Sequence, residues 1–265
     1  MKTIQPMSKV LMCAVVAVWA CQTFAAVTTK TITYTDGDVT LKGHLAFDDA
    51  LGDKRPGVLV VHEWWGLNDY AKKRAQQLAS MGYVAFALDM YGEGKVAKHP
   101  QDARAFVGQV QSSIKAWQKR ALAGLEVLRG HERVDTTRIA AIGYCFGGAT
   151  VLQLAYAGAD LRGVVSFHGS LPVPEGDQAK RIKAKVLICH GAADRFIPDE
   201  RIKALRVAFD DGDVDWQMLS YGGAAHSFTN PGADAHGISG VSYDAKADRR
   251  SWGHMKMFFK EIFGN

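Results

Sequence analysis

Residues 139–148 read Ile-Ala-Ala-Ile-Gly-Tyr-Cys-Phe-Gly-Gly, an apolar run that ends in the pattern Gly-x-Cys-x-Gly-Gly. Apolar and small residues with helical spacing follow over 149–157. This order predicts a buried strand, a sharp turn with Cys145 at its apex, and a helix. The glycines have a steric reason, because strand and helix approach closely only where side chains are minimal. The alternative is a structural cysteine buried in a glycine-rich turn.

Such a turn would give Cys145 properties that a cysteine in a regular strand lacks. It would lift the side chain above the end of the sheet and direct the N-terminus of the next helix toward the sulfur. The positive end of a helix favours a thiolate, and its free N–H groups stabilise a developing oxyanion. The pattern therefore indicates a nucleophilic thiol.

The rest of the chain alternates between predicted strands and helices. A continuous apolar run such as 57–62 is typical of a strand that is covered on both faces. Alternation of this kind favours an α/β fold with a mostly parallel, doubly wound sheet and an antiparallel N-terminal hairpin. The predicted strands are 27–47 (a hairpin turning at 36–38), 57–62, 83–88, 138–142, 161–167, 185–189 and 215–219, and the helices are 68–81, 102–111, 113–129, 149–157, 198–209 and 243–263.

The first 25 residues have the features of a secretory signal peptide. Lys2 and Lys9 form a charged region, residues 10–20 form a short apolar core, and Thr23-Phe24-Ala25 predicts cleavage after Ala25. We therefore expect export, to the periplasm in a bacterium, and a mature domain of residues 26–265. Two alternatives remain: a lipoprotein modified at Cys21, and an uncleaved anchor.

Composition and charge exclude some classes of function. Of the 265 residues, 48% are hydrophobic and 22% are charged, which suits one sizeable α/β domain. Without Lys2 and Lys9, the 32 basic residues become 30 against 27 acidic ones, a net charge of +3. No basic run is interleaved with aromatic residues, so we expect no nucleic-acid partner. We also expect no membrane partner after signal removal, and a monomer.

The mature chain keeps two of the four cysteines, Cys145 and Cys189. Export would permit a disulfide between them. Both lie at predicted buried or turn positions of different strands, and a disulfide would remove the nucleophile. We therefore expect two free thiols.

Two further strands are followed by loops that carry an acid and a histidine. Residues 185–194 form a strand and a short loop ending in Asp194, and residues 216–226 form a strand and a loop ending in His226. Carboxyl ends of parallel strands meet at one edge of the sheet. The order nucleophile, acid, base predicts a triad in which His226 takes the proton of Cys145 and Asp194 orients the imidazole. Alone, Asp194 could cap a turn and His226 could be a solvated loop residue.

An oxyanion hole should accompany this triad. The backbone N–H of Phe146 follows the nucleophile directly and is the first expected donor. The second should come from the loop after the strand at 57–62, namely the N–H of Trp64.

Five stretches together resemble the dienelactone hydrolase family of α/β-hydrolases. The resemblance extends from Val27 to the end of the chain and implies the α/β-hydrolase fold. It also implies a Cys-Asp-His triad at Cys145, Asp194 and His226. The matching stretches are Val-His-Glu-Trp-Trp-Gly-Leu-Asn at 61–68, Leu-Asp-Met-Tyr-Gly at 88–92, Ile-Gly-Tyr-Cys-Phe-Gly-Gly at 142–148, His-Gly-Ala-Ala-Asp at 190–194 and His-Ser-Phe at 226–228.

The resemblance further implies that Glu63 lies near the thiol and helps to hold or release its proton. A carboxylate beside a thiol disfavours early ionisation, because like charges repel. The alternative for Glu63 is an ion pair with a loop arginine.

This sequence departs from the family pattern at two positions. The resemblance implies that family members which cleave dienelactone have an arginine at each of these positions. The two arginines together bind the carboxylate of the substrate. Here the residues are Glu93 and Asn230, which cannot form a bidentate clamp on a carboxylate. The hypothesis is therefore an ester or lactone other than the anionic dienelactone, although Lys95 or Arg195 could compensate from elsewhere.

Aromatic residues crowd the predicted pocket and would bind an apolar acyl or aromatic group, unless some belong to the core. The pocket candidates are Trp65, Tyr91, Phe196 and Phe228, beside Trp64 and Phe146. Three histidines, His62, His168 and His190, also end predicted strands and suggest a metal. The second histidine of the zinc-protease helix motif is missing, so we expect no metal and no cofactor.

The sequence therefore predicts a cofactor-free hydrolase that cleaves a small carboxylic ester or lactone through an acyl-enzyme on Cys145. The alternative from another class is a protein of the same fold that binds a ligand or uses the Cys145 thiol without turnover.

Overall fold

An eight-stranded sheet organises residues 27–264, the part of the chain that the computed structural model describes. The predicted leader, residues 1–25 with Cys21, lies outside the described residues. The strands are β1 (Val27–Asp36), β2 (Val39–Asp48), β3 (Arg55–Val61), β4 (Val84–Leu88), β5 (Val134–Tyr144), β6 (Gly163–Phe167), β7 (Lys185–Gly191) and β8 (Trp216–Tyr221).

The spatial order of the strands is β1-β2-β4-β3-β5-β6-β7-β8. β1 and β2 form an antiparallel hairpin, β2 is antiparallel to β4, and every other neighbouring pair is parallel. This topology confirms the predicted fold class. Because β5, β7 and β8 run in the same direction, their carboxyl ends lie at one edge of the sheet, where the candidate residues are.

Among residues 27–264, six α-helices cover the two faces of the sheet, and each face has its own apolar core. α1 and α6 pack on one face with residues such as Leu78 and Phe259, whereas α3, α4 and α5 pack on the other with Leu125, Val151 and Phe209. The helices are α1 (Asp69–Ala79), α2 (Pro100–Gln111), α3 (Ile114–Arg129), α4 (Phe146–Tyr156), α5 (Asp199–Asp211) and α6 (Ala245–Phe263).

Several elements differ from the predicted bounds, and two of these differences have a clear physical cause. β5 begins at Val134 rather than Arg138, because Arg55 and Pro56 pair with Val134 and Asp135 before a register shift. These pairings involve polar and half-buried positions that an apolar pattern does not mark. α6 begins at Ala245 rather than Tyr243, because the Asp244 side chain caps it by accepting hydrogen bonds from two backbone N–H groups.

None of the helices among residues 27–264 combines the length and the apolar composition that crossing a membrane requires.

Candidate active site

Cys145 occupies the sharp turn between β5 and α4. Its φ of 54° and ψ of −112° lie in a region that a residue with a side chain seldom adopts, at a cost of about 1–3 kcal/mol. The turn is tight because a Cβ on Gly143 would lie 2.0 Å from the carbonyl oxygen of Gly147. Cys145 is only partly buried, whereas its neighbours Tyr144 and Phe146 are buried. The sulfur is therefore accessible at the edge of the sheet.

The other two candidates of the triad meet directly. Nδ1 of His226 donates to Oδ2 of Asp194 over 2.7 Å, and Oδ1 of the same carboxylate accepts the N–H of Phe196 over 3.0 Å. The Cys145 side chain is the other group that interacts with the His226 imidazole and favours its protonated form. Since Nδ1 carries the proton toward Asp194, Nε2 is the nitrogen left to exchange a proton with the sulfur.

The surroundings of His226 favour its protonated form. Burial opposes the imidazolium charge, but a Cys145 thiolate and the hydrogen bond to Asp194 outweigh it and hold the pKa of His226 well above its usual value. The ring of the neighbouring His168 stands edge-on to His226, with centroids 5.4 Å apart. Burial, followed by the charge of His226, lowers the pKa of His168 well below its usual value.

An NMR titration of the histidines should show these opposite shifts in one spectrum. Near pH 6.5, the ordinary pKa of histidine, we expect His226 to be protonated and His168 to be neutral, because their environments displace the two pKa values in opposite directions. The raised pKa of His226 stabilises the fold fully below about pH 6.5, the unfolded value, and this contribution is lost as pH rises through the folded pKa. Equal titration midpoints for His226 and His168 would contradict a protonated His226 beside a neutral His168.

The two expected oxyanion donors lie at the same edge of the sheet, Phe146 at the first position of α4 and Trp64 in the loop after β3. Within residues 27–264, neither the N–H of Phe146 nor that of Trp64 donates to a protein acceptor. The Trp64 loop is fixed by hydrogen bonds from Gly66 N to Glu63 O over 3.2 Å and from Ala97 N to Trp65 O over 2.8 Å. Both donors are thus available to a bound oxyanion, which remains a prediction.

Glu63 is buried, and both oxygens of its carboxylate are engaged by the loop after β8. Oε1 accepts from Ser227 Oγ over 2.8 Å, and Oε2 accepts from Asn230 Nδ2 over 2.6 Å. Burial raises the pKa of Glu63 despite these two hydrogen bonds. The described residues contain neither a hydrogen bond between Glu63 and Cys145 nor a direct ion pair of Glu63 with arginine. Asn230, at the position where the family resemblance implies an arginine, instead holds this carboxylate.

The four pocket candidates have different surroundings. Phe228 is fully buried against His168, so it belongs to the core rather than to an open pocket. Phe196 is 51% exposed and stands edge-on to His226 at 5.3 Å, where it can contact a substrate. Trp65 is buried and stacks on the exposed ring of His236. Tyr91 is buried as well.

The three strand-end histidines serve different structural purposes. His62 accepts the N–H of Met90 over 3.3 Å, and His168 shares a hydrogen bond of 2.7 Å with Thr229. His190 is mostly buried, and its Nδ1 has no partner among residues 27–264. Over the same range, His, Cys, Asp and Glu side chains do not converge in a group of three that could hold a metal ion.

A family model places this arrangement among known proteins. The model of the dienelactone hydrolase family matches residues 41–263, nearly all of the described chain. The chain belongs to the dienelactone hydrolase family. Membership assigns the chain to a family of hydrolases, in agreement with the resemblance noted from its motifs.

Known proteins resemble this dienelactone hydrolase family member in sequence or in fold. A dienelactone hydrolase-like promiscuous phosphotriesterase from metagenomic libraries is 43% identical, with a TM-score of 0.87 over 89% of this chain and 99% of that one. The Usf protein of Aquifex pyrophilus is 30% identical over 78% of this chain and 88% of its own length. An α/β-hydrolase enzyme from a deep-sea metagenome library, 15% identical with a TM-score of 0.66, covers 89% of this chain and 99% of its own and shows the fold alone.

One residue of the family's Asp-x-Tyr stretch has a role that the sequence analysis did not assign. Asp89 is fully buried, and its carboxylate accepts hydrogen bonds from four backbone N–H groups at 2.8–3.1 Å. It thereby fixes the loop that follows β4 next to the Trp64 loop. The sequence signal was an aspartate followed by glycines three and five positions later, which is typical of a side chain that organises a turn.

Proposed function

We propose that this chain hydrolyses uncharged carboxylic esters or lactones through an acyl-enzyme on Cys145. The observation that carries the proposal is the connected series Cys145, His226 and Asp194 at the carboxyl ends of three parallel strands, with a 2.7 Å hydrogen bond orienting the imidazole. Membership of a hydrolase family supports it independently.

The chemistry follows from the positions of these groups. With the proton of Cys145 already held by His226, the sulfur attacks the carbonyl carbon to give a tetrahedral oxyanion that the N–H groups of Phe146 and Trp64 stabilise. Collapse breaks the carbon–oxygen bond of the ester, and His226 gives its proton to the leaving alkoxide. Water, deprotonated by His226, then attacks the thioester, releases the acid and restores the thiol. Asp194 keeps the imidazole in the required tautomer throughout.

Two positions support an uncharged substrate. Glu93 forms an exposed ion pair with Lys42 over 3.1 Å, and Asn230 is occupied by Glu63. Neither position supplies the cation that a substrate carboxylate would need. The two cations that could compensate are both exposed: Lys95 and Arg195.

Dienelactone and its methyl ester test this proposal, because they share one ring and differ in a single charge. We expect the methyl ester to have at least a tenfold higher kcat/KM than the free acid, a difference of about 1.4 kcal/mol. Neutral p-nitrophenyl acetate should also be hydrolysed, with burst kinetics if acyl-enzyme accumulates. A clear preference for the free acid would overturn the assignment of substrate charge without touching the thiol mechanism.

A second candidate function is cleavage of uncharged phosphotriesters. The structure that is 43% identical to this chain bears the description of a promiscuous phosphotriesterase. The same thiolate could attack phosphorus, expel an aryloxide and leave a thiophosphate ester for water to cleave. Adding a p-nitrophenyl dialkyl phosphate to the panel tests it, since nitrophenolate release must require Cys145.

A further inference from the structure

Tyr91 contacts both segments that carry the proposed oxyanion donors, namely the Trp64 loop and the start of α4. Its hydroxyl donates to the carbonyl oxygen of Trp64 over 2.8 Å, and its ring packs on Phe146 with centroids 5.9 Å apart and an interplanar angle of 29°. The ring centroid of Tyr91 also lies 4.9 Å from that of His62, the residue that follows β3 directly. Burial raises the pKa of Tyr91, so its hydroxyl stays a donor at any physiological pH.

Tyr91 is itself held rigidly. Asp89 Oδ1 accepts the N–H of Tyr91 over 2.8 Å and that of Gly92 over 3.0 Å, while Oδ2 accepts Gly94 N over 2.9 Å. Tyr91 is 7% exposed, so its ring is packed on nearly every side. Its hydroxyl is committed to a backbone carbonyl, which differs from the role of pocket lining that its aromatic character suggested.

We propose that Tyr91 is a positioning residue for the oxyanion hole, and the inference rests on the proposed function. Its hydroxyl holds the carbonyl of Trp64 and so fixes the backbone of the residue whose N–H is the proposed donor, and its ring supports Phe146 at the start of α4. Oxyanion donors work only when they already point at the site where negative charge develops. Without the hydroxyl, the carbonyl of Trp64 loses a buried partner and the loop relaxes away from that position.

Tyr91→Phe tests this, with Tyr156→Phe as its matched control. Tyr156 is also buried, and its hydroxyl donates to a carbonyl, that of Pro172, over 2.7 Å. Both variants lose one buried hydrogen bond, about 1 kcal/mol of stability. We expect Tyr91→Phe alone to lower kcat about 10- to 50-fold at nearly constant KM, less than full removal of a donor causes.

Two reactions of the same thiol separate positioning from general damage. Iodoacetamide alkylates Cys145 by displacing iodide at a saturated carbon, which involves no oxyanion, so its rate should be the same in Tyr91→Phe and wild type. An aldehyde inhibitor adds to the thiol to give a hemithioacetal whose oxygen occupies the hole, so its Ki should rise by the same factor as kcat falls.

Unchanged kcat in Tyr91→Phe, an equal loss in Tyr156→Phe, or slower alkylation in step with kcat would each overturn the inference. Failure of the proposed function would look different. The wild-type protein would then lack esterase activity, or Cys145→Ala would retain it.

Discussion

Cys145→Ala is expected to lower ester hydrolysis by about 10⁴-fold or more, because no other described group can form the acyl-enzyme. The melting temperature should stay close to that of the wild type. Alanine keeps the Cβ, so the unusual backbone at φ 54° is strained to the same degree in both proteins. The Cys145 side chain is only partly buried, so its loss removes less packing than the loss of a core side chain. The measurements are steady-state kinetics on p-nitrophenyl acetate and a thermal melt.

Cys189→Ala is the matched control, because Cys189 is the other free cysteine among residues 27–264. It is fully buried, and burial raises the pKa of its thiol to about 12, so it is an inert packing residue. This variant should lose stability, on the order of 1 kcal/mol, and keep its activity. Esterase activity surviving in Cys145→Ala would remove the thiol from the mechanism. A wild-type protein that binds thiol reagents at Cys145 but hydrolyses no ester would favour the non-catalytic alternative.

Gly147→Ala should destabilise the protein by about 4 kcal/mol or more and abolish activity with it. A Cβ at this position would lie 2.2 Å from the carbonyl oxygen of Val61 and 2.7 Å from that of His62. These are backbone atoms at the end of β3, so the clash is relieved only by moving α4 away from the sheet. That movement displaces the turn holding Cys145. For a domain of this size, the loss corresponds to a fall in melting temperature of about 8–16 °C.

Gly108→Ala provides the contrast. Gly108 lies inside α2, and a Cβ there would meet no atom within 4 Å. Alanine should stabilise this helix by about 0.5–1 kcal/mol, because it restricts the unfolded chain and favours helix. A melting temperature for Gly147→Ala within 2 °C of the wild type would show that the turn tolerates a side chain. The steric account of the glycine pattern would then be wrong.

Elements governed by local patterns were predictable from the sequence. Apolar runs identify the central strands of the sheet, and Asn68, at the start of the predicted helix 68–81, caps α1 by accepting the N–H of Ala71 over 3.3 Å. The meeting of Asp194 and His226 followed from topology, since parallel strands end at a common edge.

Contacts between distant loops were less predictable, because they depend on which side chain reaches which backbone group. Glu63 was expected at the thiol, yet its carboxylate turns to Ser227 and Asn230, more than 160 residues later in the chain. The side chain of Tyr91 has the character of a pocket residue, but its hydroxyl is bound to Trp64. Asp89 gave only a local turn signal, whereas its hydrogen bond to Lys42 N also joins the loop to the N-terminal hairpin.

The left-handed backbone at Cys145 also bears on how this protein would respond to directed evolution. Glycine adopts such a conformation without strain, so a Gly at position 145 would relax the turn. A selection for heat resistance alone would therefore favour replacing the nucleophile Cys145 with glycine. Screens for robust variants need to score turnover alongside melting temperature, because at this position the two traits oppose each other.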